Sequence, residues 1–252
     1  MKKYFLFGNW KMHKTIKETL EYADCLKGYV EYNEKFEIGV FPPFTALESF
    51  AKTVRSMPIT VGAQNMHYEE KGAFTGEISP LMLKEIGVKY VLIGHSERRH
   101  IFKEDNGLIN KKVLSAINHE LVPVLCIGET LEERKSNKTE SVIKEQIEQG
   151  LNGVNSNNFI IAYEPVWAIG TGVNATPEQA REVHKFIREL LFHKFGESSN
   201  DISILYGGSI KVDNFGSLAE VENIDGGLVG GASLDCSTFI ELYEILKSKK
   251  LK

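Results

Sequence analysis

The sequence is poor in cysteine and has no surplus of positive charge. Cys25, Cys126 and Cys236 are an odd number without C-x-x-C spacing, which argues against a disulfide framework and against a thiolate metal site. A reducing compartment, the cytoplasm, is the simpler expectation. Lysine and arginine total 30 against 34 acidic residues, a formal net charge of -4. That balance argues against a protein held on nucleic acid or on an anionic membrane by bulk charge. No run of about 18 uncharged apolar residues exists, so no spanning helix is expected. The apolar stretch after Lys2 and Lys3 is broken at Asn9, Lys11 and His13, too soon for a secretion signal. No Gly-Lys dipeptide is present, so there is no P-loop, and no H-E-x-x-H pattern, so no zinc site is expected. Gly94-His-Ser-Glu-Arg98 lacks the final glycine of a nucleophile elbow. Gly170-Thr-Gly172-Val-Asn-Ala175 spells a dinucleotide fingerprint, but it stands apart from the preceding strand and its helix starts only afterwards. No cofactor and no metal are expected.

What is present is an alternation. The chain of 252 residues is 42% apolar and 25% charged, an ordinary folded composition. Short β-rich runs fall at Tyr4–Phe7, Phe36–Phe41, Ile59–Val61, Tyr90–Ile93, Leu121–Ile127, Phe159–Tyr163, Ile202–Tyr206 and Ile224–Val229. Several are apolar almost throughout, as suits a parallel sheet covered on both faces. Helix starts lie between them. Thr15…Glu18, Thr45…Glu48, Thr130…Glu133 and Thr176…Gln179 fit the capping box, and Ser79-Pro80 and Thr176-Pro177 place proline at the first helical position. Ile16, Leu20, Ala23 and Val30 predict the buried face after Thr15. Ala180, Val183, Phe186, Ile187, Leu190 and Leu191 do so after Thr176. Eight such units fit a closed (β/α)8 barrel or an open doubly wound sheet. Length, count and the lack of any linker favour one barrel domain over residues 1–252.

The polar residues gather at one end of the units. Asn9 and Lys11 follow strand 1, Gln64 and Asn65 strand 3, His95 strand 4, and Glu129 strand 5. Glu164 ends strand 6, Ser209 follows strand 7, and Gly230-Gly231 follows strand 8. In a barrel all reach the C-terminal face, where barrel enzymes keep their active sites. Glu164, at the mouth of an apolar strand, suits general-base work. His95 stands where a strand meets a helix that Ser96 would cap, and a helix N-terminus disfavours a positive ring. The glycines after strands 7 and 8 let backbone amides approach a phosphate. Pro165-Val-Trp-Ala-Ile-Gly-Thr-Gly172 reads as a lid hinged at its ends. Each feature alone has an ordinary structural alternative: a salt-bridged glutamate, a core histidine, a surface lysine, a tight turn or an ordinary loop. Their common placement gives them weight.

Together these residues resemble the triosephosphate isomerase family. The matching segments are Gly8-Asn-Trp-Lys-Met12, Gly62-Ala-Gln-Asn65, Gly72-Ala-Phe-Thr-Gly-Glu-Ile-Ser79, Gly94-His-Ser-Glu-Arg-Arg99, Cys126-Ile-Gly-Glu129, Ala162 through Gly172, Tyr206-Gly-Gly-Ser209 and Leu228-Val-Gly-Gly-Ala232. They run in order along nearly the whole chain, and Glu-Pro-Val-Trp-Ala-Ile-Gly-Thr-Gly is highly specific. His13 and Val173 depart from the residues many members carry, neither at a catalytic position.

The resemblance implies a TIM barrel that interconverts dihydroxyacetone phosphate and D-glyceraldehyde 3-phosphate without a cofactor. It implies Glu164 as base, His95 as neutral electrophile, Lys11 as the charge stabilising the enediolate, and Asn9 as its orienting partner. Gly170, Ser209, Gly230 and Gly231 would bind phosphate through backbone N–H groups. Val166–Thr171 would close, with Trp167 in the lid. Ser96, Glu97, Cys126 and Glu129 would support, Glu97 by pairing with Lys11. It also implies a homodimer whose loop, carrying Gln64, Asn65 and Thr75, enters the partner. Two other readings stay open: a different sugar-phosphate barrel enzyme, and a non-catalytic protein on a retired enzyme fold.

Overall fold

The computed structural model describes residues 3–169 and 175–251. Eight strands, β1 (Tyr4–Asn9), β2 (Phe36–Phe41), β3 (Ile59–Ala63), β4 (Tyr90–Ile93), β5 (Val122–Ile127), β6 (Ile160–Tyr163), β7 (Ile204–Tyr206) and β8 (Gly226–Val229), close a barrel in sequence order. Every neighbouring pair is parallel, and β8 returns to β1 with Phe7 beside Leu228. The helices are α1 (Ile16–Leu26), α2 (Phe44–Val54), α3 (Pro80–Glu85), α4 (Ser96–His100), α5 (Asn106–Asn118), α6 (Leu131–Lys135), α7 (Thr139–Gly150), α8 (Pro177–Phe195), α9 (Val212–Ala219) and α10 (Cys236–Lys250). This is the closed barrel the sequence favours, not the open sheet.

Alternation along the strands sorts side chains into two cores. One cluster, with Phe5, Phe7, Phe41, Tyr90, Leu92, Val124, Cys126, Ala162 and Leu205, contains no helix residue and fills the barrel. The other joins the outward strand residues, such as Leu6, Val40, Val91, Ile161 and Val229, to the apolar faces of the helices. Each fully buried large apolar side chain contributes roughly 1.5–3 kcal/mol. A strand buried on both faces needs apolar residues throughout, which is why the sequence runs do not alternate with polar ones.

The helix starts follow three of the four expected capping boxes. Thr15, Thr130 and Thr176 each accept from the backbone N–H three residues on, and Glu18, Glu133 and Gln179 reach back. Ser79 caps α3 ahead of Pro80. Thr45 is a correction: α2 starts two residues earlier than a Thr45 cap would place it, at Phe44, with Pro43 at its N-cap and no side-chain cap. The buried face of α1 is also corrected. It is Thr19, Tyr22, Ala23 and Leu26, while Ile16 is exposed and Val30 lies beyond the helix. The face of α8 holds as read, with Ala180, Val183, Ile187 and Leu191 buried and Phe186 and Leu190 against the core.

The cysteines require the largest correction. Cys25 on α1 and Cys236 at the start of α10 form a disulfide across 211 residues, and Cys126 alone is free. Barrel closure sets β1 beside β8 and so α1 against α10. An odd count and the lack of short spacing carry no information about a pairing made by closure. No helix among the described residues is long and apolar enough to cross a membrane.

Candidate active site

The C-terminal ends of the strands surround a cleft of about 480 Å³ lined by Asn9, Lys11, His95, Glu164, Ile169, Ser209, Gly230 and Gly231, among others. Seven of the eight residues expected to act on or bind a substrate therefore share one cavity. The eighth, Gly170, lies outside the described residues, as do Thr171 of the expected lid and Val173. A larger groove of about 650 Å³ opens between α2 and α3, but no residue expected at the site lines it.

Glu164 follows β6 directly and is only 2% exposed. Its backbone N–H donates to the Ile127 carbonyl at 2.7 Å, which continues the β5–β6 ladder one residue further. Two glycines allow its position: a Cβ on Gly128 would lie 1.7 Å from the Glu164 carbonyl oxygen, and one on Gly207 would lie 2.9 Å from its Cγ. Neither glycine stands out in the sequence as a support for Glu164. The Glu164 carboxylate accepts from the Ser96 backbone N–H at 2.8 Å through Oε2, and Oε1 lies 3.1 Å from His95 Nε2.

His95, not Ser96, is the N-cap of α4. Its Nδ1 accepts from the Glu97 backbone N–H at 3.2 Å, and Ser96 is the first helical residue. A ring nitrogen that accepts carries no proton, so the ring proton sits on Nε2, the nitrogen facing Glu164. A four-residue strand ending at Ile93 and a left-handed Gly94 turn the ring into the cleft.

Asn9 is the last residue of β1, and Lys11 adopts a left-handed backbone with φ 52°. Two bonds hold that unfavourable conformation: Asn9 Oδ1 accepts from the Lys11 backbone N–H at 3.0 Å, and Gln64 Nε2 donates at 2.8 Å to the Lys11 carbonyl. Gln64 thus serves its own chain's site. The Lys11 ammonium donates to Glu97 at 2.7 Å, the pairing the resemblance implies. Burial opposes ionisation of Glu97, but the hydrogen bond from Lys11 and the neighbouring positive groups outweigh it and hold the carboxyl below its ordinary range.

Across the cleft, no described residue accepts from the backbone N–H groups of Ser209, Gly230 and Gly231. Backbone amides left open at a cleft offer a surface for an anion. Gly230 also stands beside the Lys11 side chain.

The supporting residues divide in two. Glu129 is fully buried and accepts from Tyr163 Oη, Trp167 Nε1 at 2.9 Å and Arg134 at 3.0 Å, and so anchors the short helical turn Val166–Ala168 behind Glu164. Cys126 contributes its carbonyl, which accepts from Arg99 at 3.0 Å. Burial, and then the nearby Glu164 charge, push its thiol well above the ordinary range, so it is no nucleophile. Asn65 accepts from the buried Lys112 at 2.8 Å, and Glu104 binds both Lys112 and Arg98 at 2.6 Å. The sequence reading missed this ion cluster, because nothing local marks Glu104 or Lys112. Thr75 is exposed on the segment between β3 and α3.

Fold and site together define a barrel enzyme with its ionisable groups gathered at the C-terminal mouth. A family model described as triosephosphate isomerase matches residues 4–246. The triosephosphate isomerase of Finegoldia magna is 48% identical over 247 residues, covering 96% of this chain and 98% of that protein. The one from Caldanaerobacter subterraneus subsp. tengcongensis is 49% identical, covering 96% and 99%. That of Thermodesulfovibrio yellowstonii is 49% identical, covering 97% and 100%. The chain belongs to the triosephosphate isomerase family, and it is an enzyme, an aldose–ketose isomerase.

Proposed function

We propose that this chain interconverts dihydroxyacetone phosphate and D-glyceraldehyde 3-phosphate through an enediolate. The observation that carries the reading is the shared cleft: a buried carboxylate, an Nε2–H donor and an ammonium lie in one cavity with Ser209, Gly230 and Gly231, whose backbone N–H groups no described residue accepts. The amides of Ser209, Gly230 and Gly231, with Gly170, hold the phosphate. Glu164 takes the proton from the carbon beside the carbonyl. His95 Nε2–H donates to the carbonyl oxygen as it becomes an oxyanion and carries the hydroxyl proton from one enediolate oxygen to the other, and Lys11, oriented through Asn9, stabilises the charge. Glu164 returns the proton to the neighbouring carbon. No cofactor is required, because base and electrophile suffice for a proton transfer. Closure of Val166–Thr171 excludes water, strengthens these interactions and keeps the enediolate from expelling phosphate.

The active form is a homodimer. Met12, Phe74, Leu81, Met82, Ile101 and Phe102 are exposed, Met12 to 94%, and Phe74 lies on the segment that carries Asn65 and Thr75. Exposed apolar groups gathered in one region are the mark of an association surface. The phosphorylated substrates place the protein in the cytoplasm, and it needs neither nucleic acid nor membrane.

The test is a coupled assay with D-glyceraldehyde 3-phosphate, run beside His95→Gln, with the mass in solution taken by light scattering. Fast turnover that collapses in the variant, at twice 28.3 kDa, is expected. A folded protein that binds phosphate without turnover would favour the retired-enzyme or other sugar-phosphate reading. A particle of 28.3 kDa at working concentration would remove the dimer.

A further inference from the structure

The segment from Gly230 to Cys236 is tied to α1 through Tyr22 and Cys25, and to the end of β1 through Trp10. Tyr22 Oη donates to the Ser233 carbonyl at 2.8 Å, and Trp10 Nε1 donates to the same oxygen at 3.1 Å. Ser233 in turn donates to the Gly230 carbonyl, through its backbone N–H at 2.9 Å and through Oγ at 2.7 Å. Ser233 is therefore the peg that sets the Gly230–Gly231 turn, which lines the cleft. Three residues beyond it, Cys236 is bonded covalently to Cys25. Tyr22 and Cys25 are one helical turn apart and so share a face of α1. One helix thus grips the turn by a hydrogen bond at its middle and by a disulfide just past its end.

Cys25 is only half-buried and Cys236 lies at the first residue of α10, while the barrel closes through the β1–β8 ladder. Besides closing a long loop, which stabilises the whole fold, the disulfide fixes the distance between α1 and the start of α10, and hence where Tyr22 meets Ser233.

We propose that Cys25–Cys236 is a thiol-exchange site, that a dithiol reductant opens it, and that opening it weakens binding of the substrate's anionic group at the Gly230–Gly231 turn. This rests on the anion-binding role given to that turn above. In the opening step a thiolate of the dithiol attacks the half-buried Cys25 Sγ, and the bond to Cys236 breaks. Cys236 leaves as a thiolate and takes a proton. The second thiol of the reductant then displaces Cys25 and closes to a cyclic disulfide, so two electrons and two protons pass to the protein. The turn, held afterwards by hydrogen bonds alone, must be ordered at the moment of binding. Losing preorganisation of that kind weakens anion binding roughly three- to tenfold. The groups that carry the chemistry, Glu164, His95 and Lys11, lie on other elements, so kcat stays within about twofold. Linkage makes the effect reciprocal: inorganic phosphate must protect the disulfide from reduction by the same factor.

The experiment compares protein oxidised with glutathione disulfide, protein reduced with dithiothreitol, and Cys25→Ser. State is read by counting thiols alkylated after unfolding, one for the oxidised form and three for the reduced. Binding is read from the Kd of inorganic phosphate and from KM and kcat, with melting temperature measured alongside. The expected result is a Kd and KM raised roughly three- to tenfold on reduction at near-constant kcat, with Cys25→Ser matching the reduced form and ignoring the reductant. Phosphate should also shift the glutathione equilibrium toward the disulfide. Equal phosphate affinity in both states, even with a lower melting temperature on reduction, overturns the proposal and leaves the anion site standing. So do three free thiols that glutathione disulfide does not oxidise. Phosphate that binds in neither state removes the anion site and this inference with it.

Discussion

The Glu164 carboxylate accepts a hydrogen bond from the backbone N–H of Ser96 at 2.8 Å, across 68 residues of sequence. Its other oxygen lies 3.1 Å from His95 Nε2. The proposed base and the proposed electrophile are thus joined at the start of α4, and on that proposal the carboxylate must trade at least one partner for substrate before it takes a proton from carbon. Its reach then decides the rate. Glu164→Asp withdraws the carboxylate by one methylene, and a misplacement of about 1 Å costs around 100-fold. The expected outcome is a kcat lower by about that factor with a modest change in KM. A variant with the parent kcat would rule Glu164 out as the base.

Glu104 binds Arg98 and the buried Lys112, and Lys112 donates onward to Asn65. Glu104→Ala leaves the Lys112 ammonium buried without its counter-charge, at a cost of about 3–5 kcal/mol. Adding Lys112→Met removes the stranded charge, so the double variant should recover most of the loss. Urea unfolding of the three proteins measures it. A double variant less stable than Glu104→Ala would show that the ion pair is not the source.

Glu37 lies nearly buried on β2, between Lys3 and Lys89. Burial raises its pKa, but hydrogen bonds from Lys89 and Tyr90 and the charges of Lys89 and Lys3 outweigh it, so the folded value is lowered. A lowered folded value stabilises the protein above the ordinary carboxylate range, and that contribution is lost as pH falls through the folded value. The stability gap between the parent and Glu37→Gln should therefore be widest near neutrality and shrink below about pH 4. A gap independent of pH would contradict the assignment.

The parts of this molecule legible in its sequence are those that local chemistry dictates. The runs at Phe36–Phe41 and Tyr90–Ile93 match their strands to the residue, because doubly covered strands admit little but apolar residues. Thr15, Thr130 and Thr176 mark helix starts through contacts three residues long. Asn9, Lys11, His95 and Glu164 were findable because each stands just where a strand ends. The illegible parts depend on closure. Nothing near Cys25 points to Cys236, and nothing near Glu104 points to its role around Lys112 and Asn65. The cap of α4 was misassigned to Ser96 because histidine rarely serves there, and only the geometry has Nδ1 accepting from Glu97.

The most direct test of a single base working through an enediolate is turnover of dihydroxyacetone phosphate in deuterium oxide, with the product read by proton NMR. On the proposed mechanism the Glu164 carboxyl proton exchanges with solvent while the enediolate is bound, so deuterium should appear on the carbon beside the aldehyde, and product formation should collapse in Glu164→Gln. Product formed with no carbon-bound deuterium, or at the parent rate in the variant, would contradict the account.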